Sequence, residues 1–135
     1  MKEVLDFLRE AGVFYFATVD GDQPMVRPFG FFMEFEGKLY FGTNKARNVY
    51  RQLQANPKFQ ACIAGKQMAW LRITGRVKFD NRPEVLEAAA SIRPDLFGRQ
   101  RTIHGAGNFK PALFYIEDGE AVFNTMPNVT RSVKL

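Results

Sequence analysis

The chain has 135 residues, 46% hydrophobic and 24% charged, a length that fits one domain and a composition that excludes a disordered or fibrous chain. Its net charge of +5 suits an anionic partner, and because the basic residues are scattered instead of forming a block, a compact anion site is favoured over a polyanion groove. A single cysteine excludes an internal disulfide and a cysteine-rich metal centre, and no stretch reaches the ~20 apolar residues of a membrane helix, so a cytoplasmic protein is expected.

Val4, Leu5 and Leu8 ahead of Gly12 predict a short amphipathic helix closed by a glycine. Acids are scattered through this stretch, which lacks the apolar run of a secretory leader, so it is expected to belong to the fold. Residues 13–19 are β-branched and aromatic and run into Asp20-Gly21, a hairpin signal. Residues 25–35 read as the returning strand, and Glu36-Gly37-Lys38 turns it into a third strand at 39–43, which makes the first three strands a meander. Pro28 donates no ladder hydrogen bond, so the second strand is expected at an edge or bulged there, with Gly30 aiding the bend. Glu34 and Glu36 read as exposed strand-end charges.

A helix is predicted over 45–55, with Val49 and Leu53 on one face and Asn56-Pro57 stopping it. Strands follow at 58–65 and 68–80. The apolar run around Cys62 predicts a buried structural thiol. Residues 82–92 form a further helix with Pro83 in its first turn and Val85, Leu86 and Ala89 on one face. Regular signals lapse over 93–110, which reads as a loop or lid with a short helix. It contains the lone His104, which has no ligand partners in the sequence and is assigned a loop or interface role, not a metal. Strands at 112–118 and 120–126, joined at Asp118-Gly119, are expected as a closing hairpin. About seven strands with a few short helices describe a mainly β fold, a barrel with peripheral helices.

The segment FGTNKARNVYRQL carries the chemistry. A strand ends at Thr43 and a helix begins with Thr43 or Asn44 as its cap, yet Lys45 and Arg47 crowd a helix end that is already positive. A phosphate there would collect the free N–H groups, the Thr43 hydroxyl, the Asn48 amide and both cations. The competing reading leaves Lys45 and Arg47 facing solvent. Arg27 adds weight to the anion site, since its strand is expected beside strand 39–43. Neither G-x-G-x-x-G nor a Walker run occurs, so Rossmann and P-loop sites are unsupported. Paired carboxylates, a nucleophile triad and a metal cluster are likewise missing from the pattern.

The order of these pieces, namely Ala17 to Val26 with Asp20, Gly21 and Pro24, then Arg27-Pro28 with Gly30, then Tyr40 to Leu53 and Trp70 to Phe79, resembles the pyridoxamine 5′-phosphate oxidase-like, FMN-binding split-barrel superfamily. The resemblance runs from about residue 3 to residue 126. It implies a homodimer holding FMN near the subunit interface, with the phosphate on Arg27, Thr43, Lys45, Arg47 and Asn48 and main chain at Val26 and Pro28 along the flavin. Trp70 falls where the family often sets a residue beside the flavin, with barrel core as the competing role. Asn108, Phe109 or Asn124 are candidates for a contribution from the second subunit, and the interface is expected on Phe-rich barrel faces and the 93–110 segment.

Members that oxidise the vitamin phosphate carry a basic carboxyl-terminal segment with an arginine-histidine motif, whereas this sequence ends at TRSVKL, so that reaction is not expected. The resemblance implies an oxidoreductase moving hydride or electrons to or from an unidentified small molecule. A flavin carrier or sensor is the first alternative and a single-stranded nucleic-acid barrel the second. Some relatives use a deazaflavin, which leaves that cofactor open.

Overall fold

The computed structural model describes residues 1–98, 110–125 and 129–135. The elements in chain order are α1 (Lys2–Ala11), β1 (Phe14–Asp20), β2 (Gln23–Phe29), β3 (Phe32–Phe35), β4 (Lys38–Asn44), α2 (Asn48–Ala55), β5 (Lys58–Ala64), β6 (Trp70–Phe79), α3 (Pro83–Ile92), α4 (Pro94–Phe97), β7 (Pro111–Thr125) and β8 (Val129–Lys134). The eight strands form one sheet in the order β2-β1-β5-β6-β7-β4-β3, with β8 also on β7. Phe29 ends β2 and Phe32 begins β3 at the opposite edge of that path. Three residues span at most about 11 Å, so the sheet must curl until its two edges meet. The fold is the expected split barrel.

This closure corrects the meander. Residues 25–35 are two strands, not one: the chain leaves the ladder at Gly30 and Phe31, β2 pairs with β1, and β3 pairs with β4. Local turn signals identified both hairpins, but the sheet edge that β2 occupies is set by long-range pairing. β2 therefore does not neighbour β4, contrary to the sequence expectation for Arg27.

The second correction concerns Asp118-Gly119. These residues lie inside the 15-residue β7, where Thr74 pairs with Glu120 and Arg76 with Glu117, so two residues face the single Gly75. Asp118 adopts φ 50. The turn chemistry makes a β-bulge that bends β7, and the closing hairpin is β7–β8 instead, which brings the strand count among the described residues to eight.

Alternation in each strand decides what is buried. In β5, Phe59, Ala61 and Ile63 point inward while Cys62 is exposed, which overturns its reading as a buried thiol. The main core joins α1, α2 and the barrel interior through Leu8, Phe14, Phe16, Phe41, Leu53 and Phe114. A second cluster of Phe31, Met33, Tyr40, Val85, Ala89, Phe97 and Leu113 seats α3 and α4 on β3, β4 and β7. Every described phenylalanine is buried or half-buried, so the aromatic surplus fills the core. Among the described residues the large exposed apolar groups are others: Val13 (53%), Tyr15 (52%), Val26 (67%), Met68 (73%), Leu86 (37%) and Ile92 (51%).

Candidate functional site

At the joint between β4 and α2 the chain turns through Lys45, Ala46 and Arg47 before the helix starts at Asn48. The helix is thus shorter than the predicted 45–55, and its N-cap is Arg47 (φ −86°, ψ 150°), not Thr43 or Asn44. Asn44 is used one step earlier: its Oδ1 accepts the Ala46 N–H at 2.9 Å, while its carbonyl accepts the Arg47 N–H at 2.9 Å. No side chain caps α2. An uncapped helix start keeps N–H groups available to an anion.

Arg27 reaches this region by a different route from the expected one. β2 is the outer partner of β1, and α2 packs against β1, which sets the Arg27 side chain beside the helix. Its Nη2 donates to Gln52 Oε1 at 2.6 Å, and its Nη1 to Thr18 Oγ1 at 2.8 Å and to the Phe16 carbonyl at 3.2 Å. Burial first, and then the positive charge of Arg47, lower its pKa. Among the described residues neither Arg27 nor Arg47 forms an ion pair. Two cations close enough to disfavour one another, with no carboxylate between them, make a field that an anion relieves.

A groove lined by Val26, Arg27, Arg47, Asn48 and Gln52 lies over the helix start. Beyond Arg47 it meets a cleft of about 320 Å³. Phe29, Gly30 and Phe31 form one wall of the cleft, Gly42 and Thr43 its floor, and Arg93, Leu96 and Phe97 the far wall. Gly42 is required by crowding, since a Cβ there would lie 2.8 Å from both Phe97 Cζ and Leu113 Cδ2. The Thr43 hydroxyl is buried and has no hydrogen-bond partner. A buried orphan hydroxyl is costly, and one lining a cleft with Arg47, a cation without an ion pair among the described residues, fits a ligand carrying acceptor oxygens.

Of the residues singled out from the sequence, Pro28, Thr43 and Arg47 share the cleft, and Val26, Arg27, Arg47 and Asn48 share the groove. Lys45 is exposed next to them, its N–H bonded to the Lys110 carbonyl at 2.8 Å. Trp70 is not brought to them within the chain. It begins β6, opposite Ala64 and Asn124, with the Arg72 guanidinium 4.6 Å from its ring centroid. β6 is three strand spacings from β2, about 14 Å along the sheet. His104, Asn108 and Phe109 lie outside the described residues.

Sequence reasoning missed Thr18, Gln52, Phe29, Phe31, Gly42, Arg93, Leu96 and Phe97. Gln52 had a signal, being a polar residue on the apolar face between Val49 and Leu53. The far wall had none, because only tertiary packing carries α4 to the cleft.

A family model described as pyridoxamine 5′-phosphate oxidase matches residues 1–122. Among solved structures, the chain is similar to a NimC/NimA family protein from Clostridium acetobutylicum, with 38% identity, a TM-score of 0.88, and coverage of 100% of this chain and 92% of that one. It shares its fold with a pyridoxamine 5′-phosphate oxidase-related, FMN-binding protein from Nostoc punctiforme (14% identity, TM-score 0.60, 99% and 95% covered). The heme storage protein HutZ from Vibrio cholerae shares it too (20% identity, TM-score 0.63, 86% and 87% covered). No curated protein matches the chain.

Proposed function

This chain belongs to the pyridoxamine 5′-phosphate oxidase family, and from that premise we propose that it binds FMN as a homodimer and serves as an oxidoreductase for a small molecule. The observation that carries the reading is the convergence of Arg27 and Arg47, both without carboxylate partners among the described residues, on the uncapped start of α2 beside the orphan Thr43 hydroxyl. Arg27, Arg47 and the helix N–H groups neutralise and orient a phosphate, with Asn48 and Lys45 at its margin. Thr43 donates its hydroxyl. The main chain of Val26 and Pro28 lines the ring or ribityl chain, and Phe29, Phe31 and Phe97 keep water from the cleft. Bound flavin supplies the hydride or electron chemistry, while the protein supplies position and field.

The outward face of β2-β1-β5-β6 supports the dimer. Val13, Tyr15 and Val26 are exposed there, with Cys62 between Tyr15 and Arg72 in the ladder. Trp70 lies on the same face. A two-fold axis parallel to the strands, between β1 and β5, stacks β6 of one copy over β2 of the other. Trp70 of each copy, level with Gly30 along the ladder, then faces the Pro28 end of its mate's β2, which reconciles its remoteness within one chain with a role beside the flavin.

Titration with FMN and riboflavin tests the cofactor. Preference for FMN supports the phosphate cradle, equal affinity rejects it, and a Soret band in the purified protein would assign heme instead. Reduction of the loaded protein by NADH or NADPH, followed by re-oxidation, separates an oxidoreductase from a flavin carrier or sensor.

A further inference from the structure

We infer that Gln52 and Thr18 are positioning residues that hold Arg27 by neutral acceptors, so that its full positive charge remains for the bound anion; the inference rests on the FMN reading above. Gln52 is 1% and Thr18 3% exposed. Both stand on faces that otherwise carry apolar groups: Gln52 beside Val49 and Leu53 on α2, and Thr18 in register with Phe14 and Phe16 on β1. Burying polar side chains there is unfavourable unless they are hydrogen-bonded, and their bonds run to one another and to Arg27. The Thr18 hydroxyl donates to Gln52 Oε1 at 2.6 Å and accepts from Arg27 Nη1 at 2.8 Å, while Gln52 Oε1 also accepts from Arg27 Nη2 at 2.6 Å. Three side chains from β1, β2 and α2 thus close a ring.

The chemistry of that ring is selective. Arginine is a donor only, so the amide oxygen must face it. Gln52 Nε2 consequently points away and has no partner at hydrogen-bond distance. Asp20 lies on its side of the ring, its carboxyl held below the usual range first by a hydrogen bond from Arg51, with Gln52 a minor further cause. Asp20 is itself paired with Arg51 at 3.1 Å. A glutamate at position 52 would satisfy both Arg27 and Thr18 with nearly the same shape and find a stronger bond, yet it would cancel the charge of Arg27. The amide gives up that stronger bond and leaves one nitrogen orphaned, a sacrifice that favours the anion over the apo protein.

Gln52→Glu in the full chain separates positioning from charge, and Thr18→Val removes one acceptor without adding a charge. FMN and riboflavin are titrated into each by flavin fluorescence, with circular dichroism establishing that the apo variants are folded. Gln52→Glu is expected to weaken FMN by about 10- to 100-fold, the loss of one charge-assisted contact, and to leave riboflavin within about twofold. Thr18→Val is expected to weaken FMN by a few-fold, again without touching riboflavin. Should Gln52→Glu fail to fold, Thr18→Val decides alone. Unchanged FMN preference in the folded variants overturns the inference while leaving the cofactor reading intact. A wild-type protein that binds both flavins equally overturns both.

Discussion

Arg47 separates affinity from stability because its two effects carry opposite signs. As the N-cap of α2 it is an exposed cation at the positive end of a helix, and its charge also acts on Arg27. Replacement by alanine removes a helix-end interaction unfavourable by about 0.3–1 kcal/mol, toward the lower figure for an exposed group, and it breaks no ion pair among the described residues. The apo protein should therefore melt at the wild-type temperature or roughly 1–2 °C above it. FMN, by contrast, loses a charge-assisted contact of about 1.5–3 kcal/mol, a factor of roughly 10 to 150 in Kd. Riboflavin lacks the phosphate and should bind Arg47→Ala as it binds wild type. Isothermal titration with both flavins and a melting curve of the apo protein read all three quantities. Equal losses for FMN and riboflavin, or an unaltered FMN affinity, would refute the placement of the phosphate at this turn.

Gly42→Ala forces a Cβ to within 2.8 Å of Phe97 and Leu113; overpacking of this kind costs about 1–3 kcal/mol, so denaturant unfolding should lose that amount and FMN affinity should fall as the cleft floor rises. The Tyr40 hydroxyl donates to Asp80 Oδ2 at 2.7 Å, and Arg82 bonds Asp80 at 2.9 Å. Arg82 first, helped by Tyr40, holds the Asp80 carboxyl down to about 2 against burial, which opposes the shift. That carboxylate contributes about 2 kcal/mol of stability above its ordinary value near 4. The contribution fades as pH falls toward 2, so Asp80→Asn should be less stable at neutral pH and lose the corresponding acid-sensitive part of the stability profile. Burial first, and then the bond to Asp80, raise Tyr40 to about 12; its contribution persists below pH 10 and is lost as pH rises through 12, so Tyr40→Phe should flatten the alkaline limb of that profile. Val26→Asp places a charge on the exposed face proposed as the dimer interface, and light scattering should then report a monomer. A dimer unaffected by Val26→Asp would move the interface elsewhere.

The elements whose signals are local were legible in the sequence. Alternation in β1 and β6, the turn after Phe35 and the helix stop at Asn56-Pro57 each follow from residues within a few positions, and the structure has them with small shifts at the ends. Gly30 was recognised as a bend, but no local feature says that the strand after it crosses to the other edge of the sheet. Asp118-Gly119 has the chemistry of a turn, and the continuous ladder with β6 converts it into a bulge. Cys62 was misread although its signal was present: Lys58, Gln60 and Cys62 share one parity, so the thiol faces outward with them. Arg27 and Arg47 line one groove, but through α2 and β1 and not through the adjacent strands that the sequence suggested. The neutral clamp on Arg27 required three elements to be assembled before its logic could be read.

If this barrel carries FMN, the absorption spectrum of the purified protein, taken before and after FMN is added and excess flavin removed, reports it directly. Retained flavin bands at about one FMN per chain are the expected result; a protein that stays colourless and retains none of the added FMN would contradict the account.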